Sequence, residues 1–311
     1  MAAPAEQTAH GRAFKIGYLA SLDDTPAEGA LPRFHDVRDL ALAAENAGLD
    51  SFWVADHFIA RMPNEGEVGQ WEAFTFLSAL AAVTTRIQLG PLVAATSFRN
   101  PALTAKMADS LDEISNGRFI MGLGAGWHEP EYLAFGYPFD HLASRFEEAL
   151  QIIVPLLREG KADFHGEYVS ATDAVLRPRG PSPKGPPILI GARRPRMLRL
   201  VARYADAWNT AWHTRPDVVA ERWAEMRQIC EEAGRDPATL ELTAGAILRL
   251  GPNGEPAEGK PYQITGTTEE IAERLRGFVE VGARHLTLVI EPEGMVGFER
   301  FLPILDLLNQ G

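Results

Sequence analysis

Eight short apolar runs, each followed by a stretch with apolar residues at helical spacing, recur from one end of this chain to the other. Few folds accept such a pattern. The strand-like runs are 14–20, 51–55, 86–94, 118–123, 187–190, 207–209, 240–248 and 285–290. The first helix is striped by Phe34, Val37, Leu40, Ala41 and Ala44, and Gly48 stands where a helix stop is expected. Further helices are predicted over 71–82, over a face marked by Leu103, Met107, Leu111 and Ile114, and around Phe146, Leu150, Ile153, Val154 and Leu157. The second half predicts helices over 195–205, on the stripe Val219, Trp223, Met226 and Cys230, over 269–281 and over 298–308. Near-continuous apolar strands are those of a parallel sheet buried on both faces. The predicted class is therefore α/β, a (β/α)8 TIM barrel with insertion loops, with an open doubly wound sheet as the alternative. A length of 311 residues suits one such barrel over 13–311, preceded by a loose segment over 1–12.

Some stretches interrupt the repeat. Residues 61–70 read as a polar loop after the second strand, and 127–142 as an aromatic-rich loop after the fourth. Residues 161–184 follow the fourth helix and contain an alternating segment, 164–169, that predicts a small hairpin; 251–266 forms a loop after the seventh strand. Loops that follow barrel strands lie at the C-terminal face, where such proteins keep their chemistry.

A formal charge of −12 argues against a nucleic-acid partner, which needs a concentrated basic face. An anionic ligand must then be met by local arginines or backbone N–H groups. Cys230 is the sole cysteine, which excludes an intrachain disulfide and a Cys-rich metal site. No apolar run reaches the roughly 20 residues of a membrane span, and the first dozen residues lack the apolar stretch of a signal peptide. A soluble cytoplasmic protein without a membrane partner is expected.

His57 directly follows Asp56 at the end of the second strand, where an acid can orient an imidazole for proton transfer. No metal is expected, since adjacent side chains on a strand cannot face one ion. Gly124-Ala125-Gly126 after the fourth strand leaves little side chain, so a planar ring or coenzyme tail can approach the backbone; the spacing is not a dinucleotide fingerprint. Arg193-Arg194-Pro195-Arg196 opens the fifth helix, and a helix start with arginines beside it favours a phosphate. Trp71, Trp127, His128 and Trp212 fall at mouth loops and are candidate walls of a substrate pocket, while Cys230 belongs to packing.

Several of these segments, in order, resemble the luciferase-like monooxygenase family. They are Phe52-Trp53-Val54-Ala55-Asp56-His57-Phe58, Leu89-Gly90-Pro91-Leu92-Val93, Phe98-Arg99-Asn100-Pro101-Ala102, Leu111-Asp112-Glu113-Ile114-Ser115-Asn116-Gly117-Arg118-Phe119, Gly122-Leu123-Gly124-Ala125-Gly126-Trp127, Gly191-Ala192-Arg193-Arg194-Pro195-Arg196 and Ala205-Asp206-Ala207-Trp208-Asn209. The resemblance is greatest to the branch that uses coenzyme F420, a deazaflavin. It implies a luciferase-like barrel, a catalytic or coenzyme-contacting His57, and a non-proline cis peptide at Leu92–Val93 behind the coenzyme. It also implies a phosphate held at Gly191, Ala192, Arg193 and Arg194, although similar enzymes usually carry Gly where Arg194 stands, and Asn where this chain has His128.

The function expected is hydride transfer between coenzyme F420 and a small organic substrate. A two-component FMN monooxygenase, needing a flavin reductase partner, is the alternative within enzymes. A coenzyme-carrying barrel without efficient turnover is the alternative outside them. Pairing into a homodimer is expected by analogy.

Overall fold

The computed structural model describes residues 8, 11–24, 32–62 and 66–310. Most of the segment expected to be loose (1–7, 9 and 10), Pro26, and 63–65 of the predicted polar loop lie outside the described residues.

Every predicted run becomes a strand and every stripe a helix. In chain order these are β1 (Lys15–Ala20), α1 (Phe34–Asn46), β2 (Ser51–Val54), β3 (Ile59–Met62), β4 (Gly66–Gly69), α2 (Ala73–Val83), β5 (Gln88–Pro91), β6 (Ala94–Ala95), α3 (Pro101–Ile114) and β7 (Met121–Gly124). Then follow α4 (Glu129–Phe135), α5 (Leu142–Glu159), β8 (Lys161–His165), β9 (Ser170–Val175), β10 (Ile188–Gly191) and α6 (Pro195–Tyr204). The chain closes with β11 (Ala207–Thr210), α7 (Pro216–Glu232), β12 (Glu241–Arg249), α8 (Thr268–Glu280), β13 (His285–Glu291) and α9 (Gly294–Asn309). Among the described residues no helix is long and apolar enough to cross a membrane. The elements fall into two compact units, one drawn from Met1–Ser21, His35–Trp53 and Ala192–Gly311, the other from Leu22–Phe34 and Val54–Gly191.

In the first unit β13 lies between β1 and β12, and β12 pairs with β11, all in parallel, with Lys15 and Thr243 both in register with His285. Ile16, Leu248, Leu286 and Leu288 are fully buried, each such side chain contributing about 1.5–3 kcal/mol. The polar groups inside are satisfied, as burial requires. The Asn209 amide donates to Thr243 Oγ1 at 2.8 Å and to Thr287 Oγ1 at 3.3 Å. At the strand starts Ser51 Oγ accepts the Trp53 indole N–H at 2.7 Å and shares a hydrogen bond of 2.6 Å with His285 Nε2. Gly17 opposite admits no side chain, because a Cβ there would lie 2.2 Å from Ser51 Oγ. Arg12, the last residue of the segment expected to be loose, is anchored. It is buried and donates to Asp50 at 2.7 Å and to the Gly48 carbonyl at 2.8 Å.

In the second unit β7 lies between β6 and β10 in parallel, and a bridge from Leu89 to Phe119 brings in β5. The third run breaks after Pro91, as a proline in a strand implies. Asn100 caps α3 by accepting from the Ala102 and Leu103 N–H groups, with Pro101 at the first helical position. The face that α3 buries shares Leu111 with the predicted one and otherwise differs from it. Leu103 and Ile114 are exposed, and Thr104, Ala105, Ala108 and Leu111 turn inward, because small residues let the helix approach its neighbours closely. Behind it, Asn116 and Gly117 both have positive φ (55° and 82°). They turn Arg118 back to donate to the carbonyls of Ala81, Thr84, Ile87 and Ser115. This arginine occupies carbonyls left open at the end of α2.

The insertions are more ordered than the sequence implied. The polar stretch after β2 contains the antiparallel pair β3–β4, with Ile59 in register with Gly69. The aromatic loop after β7 contains α4. The expected hairpin is present but longer, with β8 and β9 pairing from Lys161–Val175 to His165–Ser170.

Candidate active site

The turn that leaves β2 sends Asp56 and His57 to different partners. Asp56 is 2 % exposed. Its carboxylate accepts from Arg99 Nη1 at 2.7 Å, Arg99 Nη2 at 2.9 Å and the Ala95 N–H at 3.1 Å. Arg99 also pairs with Glu72, the cap of α2, and lies over the Phe74 ring at 4.5 Å. Burial raises the Asp56 pKa, and the hydrogen bonds and charge of Arg99 act against it. Asp56 makes no hydrogen bond to His57. The orienting role read for it from adjacency is corrected: consecutive side chains point apart, and Asp56 instead ties the turn to the segment after β5.

The partner of His57 is Glu131, in α4. His57 Nδ1 lies 2.8 Å from Glu131 Oε1, and Glu131 Oε2 accepts the Phe58 N–H at 3.0 Å. A carboxylate only accepts, so Nδ1 carries the proton and Nε2 is the nitrogen that titrates. Among the described residues Nε2 has no hydrogen-bond partner. Burial draws the His57 pKa down; the Glu131 hydrogen bond and charge, with Asp56 and Asp23, outweigh it and leave the pKa raised. Trp127 stands edge-on to the imidazole, ring centroids 5.6 Å apart, and is 59 % exposed. His128, expected to face a substrate, is buried and accepts the Arg61 N–H on Nε2 at 2.9 Å. That bond fixes His128 as a clamp between α4 and β3, and burial lowers its pKa. Trp71 is half-exposed, stacks on Phe76 and donates to the Pro32 carbonyl.

Leu92–Val93 is a cis peptide, as the resemblance implied. Leu92 N–H bonds the Val54 carbonyl at 2.8 Å, three residues before His57. The Val93 side chain then rests where glycines make room. A Cβ on Gly124 would lie 2.6 Å from Val93 Cγ2, and one on Gly191 3.3 Å from both methyls. A Cβ on Gly122 would meet the Pro91 carbonyl at 2.0 Å. Leu92 and Val93 are themselves half-buried, so they form an apolar ledge, the surface that a flat ring system needs. Gly126 turns with φ +80°, beneath the Tyr132 hydroxyl, which donates to the Ala125 carbonyl.

In the first unit Ala192 is buried, and its carbonyl accepts from the Trp208 indole at 3.0 Å, which makes Trp208 a core residue. Arg193 and Arg194 are exposed at the start of α6. Arg194 is extended (φ −93°), so it stands without strain where similar enzymes have glycine. Trp212 is half-exposed and packs across Gly245, where a Cβ would lie 3.2 Å from its ring. The buried His213 is paired with Thr210 at 2.8 Å, and burial and then Arg193 push its pKa down to about 4.

Glu131 is a site residue that the sequence did not reveal, and Arg99 stood in a family-like motif without a role assigned to it. The only local signal for Glu131 is an acid in the first turn of a helix with Pro130 at its second position.

Residues 14–260 match the luciferase-like monooxygenase family. The chain belongs to that family. It is 31% identical over 253 residues to the phthiodiolone/phenolphthiodiolone dimycocerosates ketoreductase of Mycobacterium tuberculosis, a match covering 76% of this chain and 66% of the ketoreductase. The chain thus spans just under two thirds of that relative's length. It is 32% identical over 254 residues to the F420-dependent glucose-6-phosphate dehydrogenase of Kineococcus radiotolerans, covering 80% of this chain and 71% of the relative. Among solved structures, an F420-dependent secondary alcohol dehydrogenase superposes with TM-score 0.78 at 20% identity, over 95% of this chain and 99% of that one. The fold is the α/β, (β/α)8 TIM barrel of the luciferase-like enzymes.

Proposed function

We propose that this luciferase-like enzyme transfers a hydride between coenzyme F420 and a small organic substrate, with His57 moving the accompanying proton. The observation that carries the reading is the imidazole of His57, fixed through Nδ1 by buried Glu131 and open at Nε2, on the turn whose strand holds the Val93 ledge. Leu92 and Val93 would back the ring system, and the glycines at 124 and 126 would admit it to the backbone. When bound, a deazaflavin supplies a two-electron hydride donor or acceptor and activates oxygen poorly. His57 Nε2 then accepts a proton from a substrate hydroxyl or returns one to a carbonyl. The F420-dependent dehydrogenases among its relatives support this choice of coenzyme over FMN.

The test is a fluorescence titration of the purified protein with coenzyme F420 and, separately, with FMN, followed by turnover of wild type and His57→Ala. Saturable F420 binding, retained by the variant while turnover falls at least about 100-fold, is expected. Preference for FMN would make this an oxygen-using monooxygenase served by a reductase. Full turnover by the variant would remove His57 from the chemistry.

A further inference from the structure

Helix α6 differs in charge from the other arginine-bearing helices of the chain. Arg196, Arg199 and Arg203 recur along it at helical spacing, and it has no acidic residue. Helices α1, α5, α7, α8 and α9 each mix arginine with aspartate or glutamate, the usual pattern of a helix face that meets only water. Among the described residues Arg199 and Arg203 are exposed and have no carboxylate partner. The Arg203 guanidinium lies over the neighbouring Tyr204 ring at 5.0 Å. Four residues apart on a helix, two like charges stand about 5–6 Å from one another at Cβ and repel.

Within the same unit, a cavity of about 860 Å³ opens between α6 and the end of α7. Its cations are Arg199, Arg203 and Arg235, and Ala202, Ile229 and Ala233 supply apolar wall. Arg235 is held in place without being neutralised. It donates to the carbonyls of Ala202 at 3.2 Å, Ala205 at 2.7 Å and Thr239 at 2.9 Å, and to Thr239 Oγ1 at 2.9 Å. These bonds tie the turn after α7 to the last turn of α6, so the groove is formed before any ligand arrives. The one acid in its lining, Glu232, accepts from the Gln228 side chain at 2.8 Å and pairs with none of the three arginines. Three positive charges therefore face one negative charge, in a chain whose net charge is −12.

We propose that this groove binds a small molecule carrying a diphosphate, either a nucleoside diphosphate or free pyrophosphate. A guanidinium presents paired N–H donors that match a phosphoryl group, and two such forks one turn apart suit two linked phosphoryl groups. The bound anion removes the repulsion between Arg199 and Arg203. A nucleoside would lie along Ala202, Ile229 and Ala233, and the volume is within the range of small-molecule sites. The site is separate from the coenzyme phosphate expected at Arg193 and Arg194. Arg199 and Arg203 lie five and nine residues beyond Arg194, about 8 and 14 Å along the helix.

The experiment is a calorimetric titration of the purified protein with ADP, pyrophosphate and adenosine at about 0.15 M ionic strength, where loose charge attraction is largely screened. It is repeated on Arg199→Ala/Arg203→Ala and on Arg193→Ala/Arg194→Ala, all at exposed positions. Saturable one-to-one binding of ADP is expected, weakened at least about tenfold in the first variant and unchanged in the second. ADP binding tighter than that of pyrophosphate identifies a nucleotide as the occupant. Pyrophosphate binding at least as tight as that of ADP identifies a free diphosphate, and both results support the site. The proposal is overturned if nothing binds saturably, or if adenosine binds as well as ADP. It is also overturned if ADP binding survives in Arg199→Ala/Arg203→Ala or is lost in Arg193→Ala/Arg194→Ala, since the anion then sits elsewhere.

Discussion

His57 is set apart less by its own position than by the acid that faces it. Glu131 is 1% exposed and spends one oxygen on the imidazole and the other on a backbone N–H, so the ring has one orientation and one free nitrogen. Glu131→Gln keeps an acceptor for the Phe58 N–H but removes the charge. The His57 pKa should then fall, moving the matching limb of the pH–rate profile to lower pH. The imidazole's NMR titration would report the same shift, and an unmoved limb would assign the proton to another group. The stability effect carries the same sign. A raised imidazole pKa stabilises the fold fully below the unfolded value of about 6.5 and loses that contribution as pH rises through the folded value. The melting-temperature gap between wild type and variant should therefore be widest near pH 6 and narrow in alkali. None of this was legible from residue 57 alone. Asp56 is its neighbour in sequence, but the dyad is closed by a residue 74 positions away.

At the scale of elements, the corner from β7 into α4 decides where Glu131 stands. Gly126 takes φ +80°, and a Cβ there would lie 1.7 Å from Tyr132 Oη. Gly126→Ala meets both obstacles and should destabilise the protein by about 1–3 kcal/mol in urea unfolding. Tyr132→Phe removes the hydroxyl, so the double variant should lose less than the sum of the two single losses, the remainder being the left-handed backbone. An additive result would show that the ring moves aside unaided. The glycine pair at 124 and 126 was conspicuous in the sequence as a place of close approach. Its crowding by Val93 and Tyr132 was not, because both contacts are tertiary. The same limit explains α3, whose helical period was right and whose predicted face was buried at Leu111 but not at Leu103 or Ile114. Apolar count favours Leu103 and Ile114, whereas close packing favours Ala105 and Ala108.

For the whole molecule, 42 acidic residues against 30 basic ones mean that the anionic coenzyme proposed above would depend on local arginines or backbone N–H groups. Replacing Arg193 and Arg194 together by Ala should weaken coenzyme F420 binding several-fold and flatten its dependence on salt, read by the same fluorescence titration. Thermal shift offers a second readout, since a ligand at 100 times its Kd stabilises by about 2.7 kcal/mol. That melting-temperature gain should be reached by the wild type at lower coenzyme concentrations than by the double variant. An unchanged Kd would place the coenzyme's charge elsewhere.

Periodicity and composition by themselves determined the eightfold βα repeat, the parallel strands, the helix stop at Gly48, and His57 as the candidate proton carrier. These rest on local physics: helical spacing, strand burial and turn conformation all act over a few residues. Only the tertiary structure decided that Glu131 holds His57, that Asp56 belongs to Arg99, and that His128 is a clamp. Those outcomes depend on which distant groups must share a buried hydrogen bond or charge, and no local spacing records such a choice.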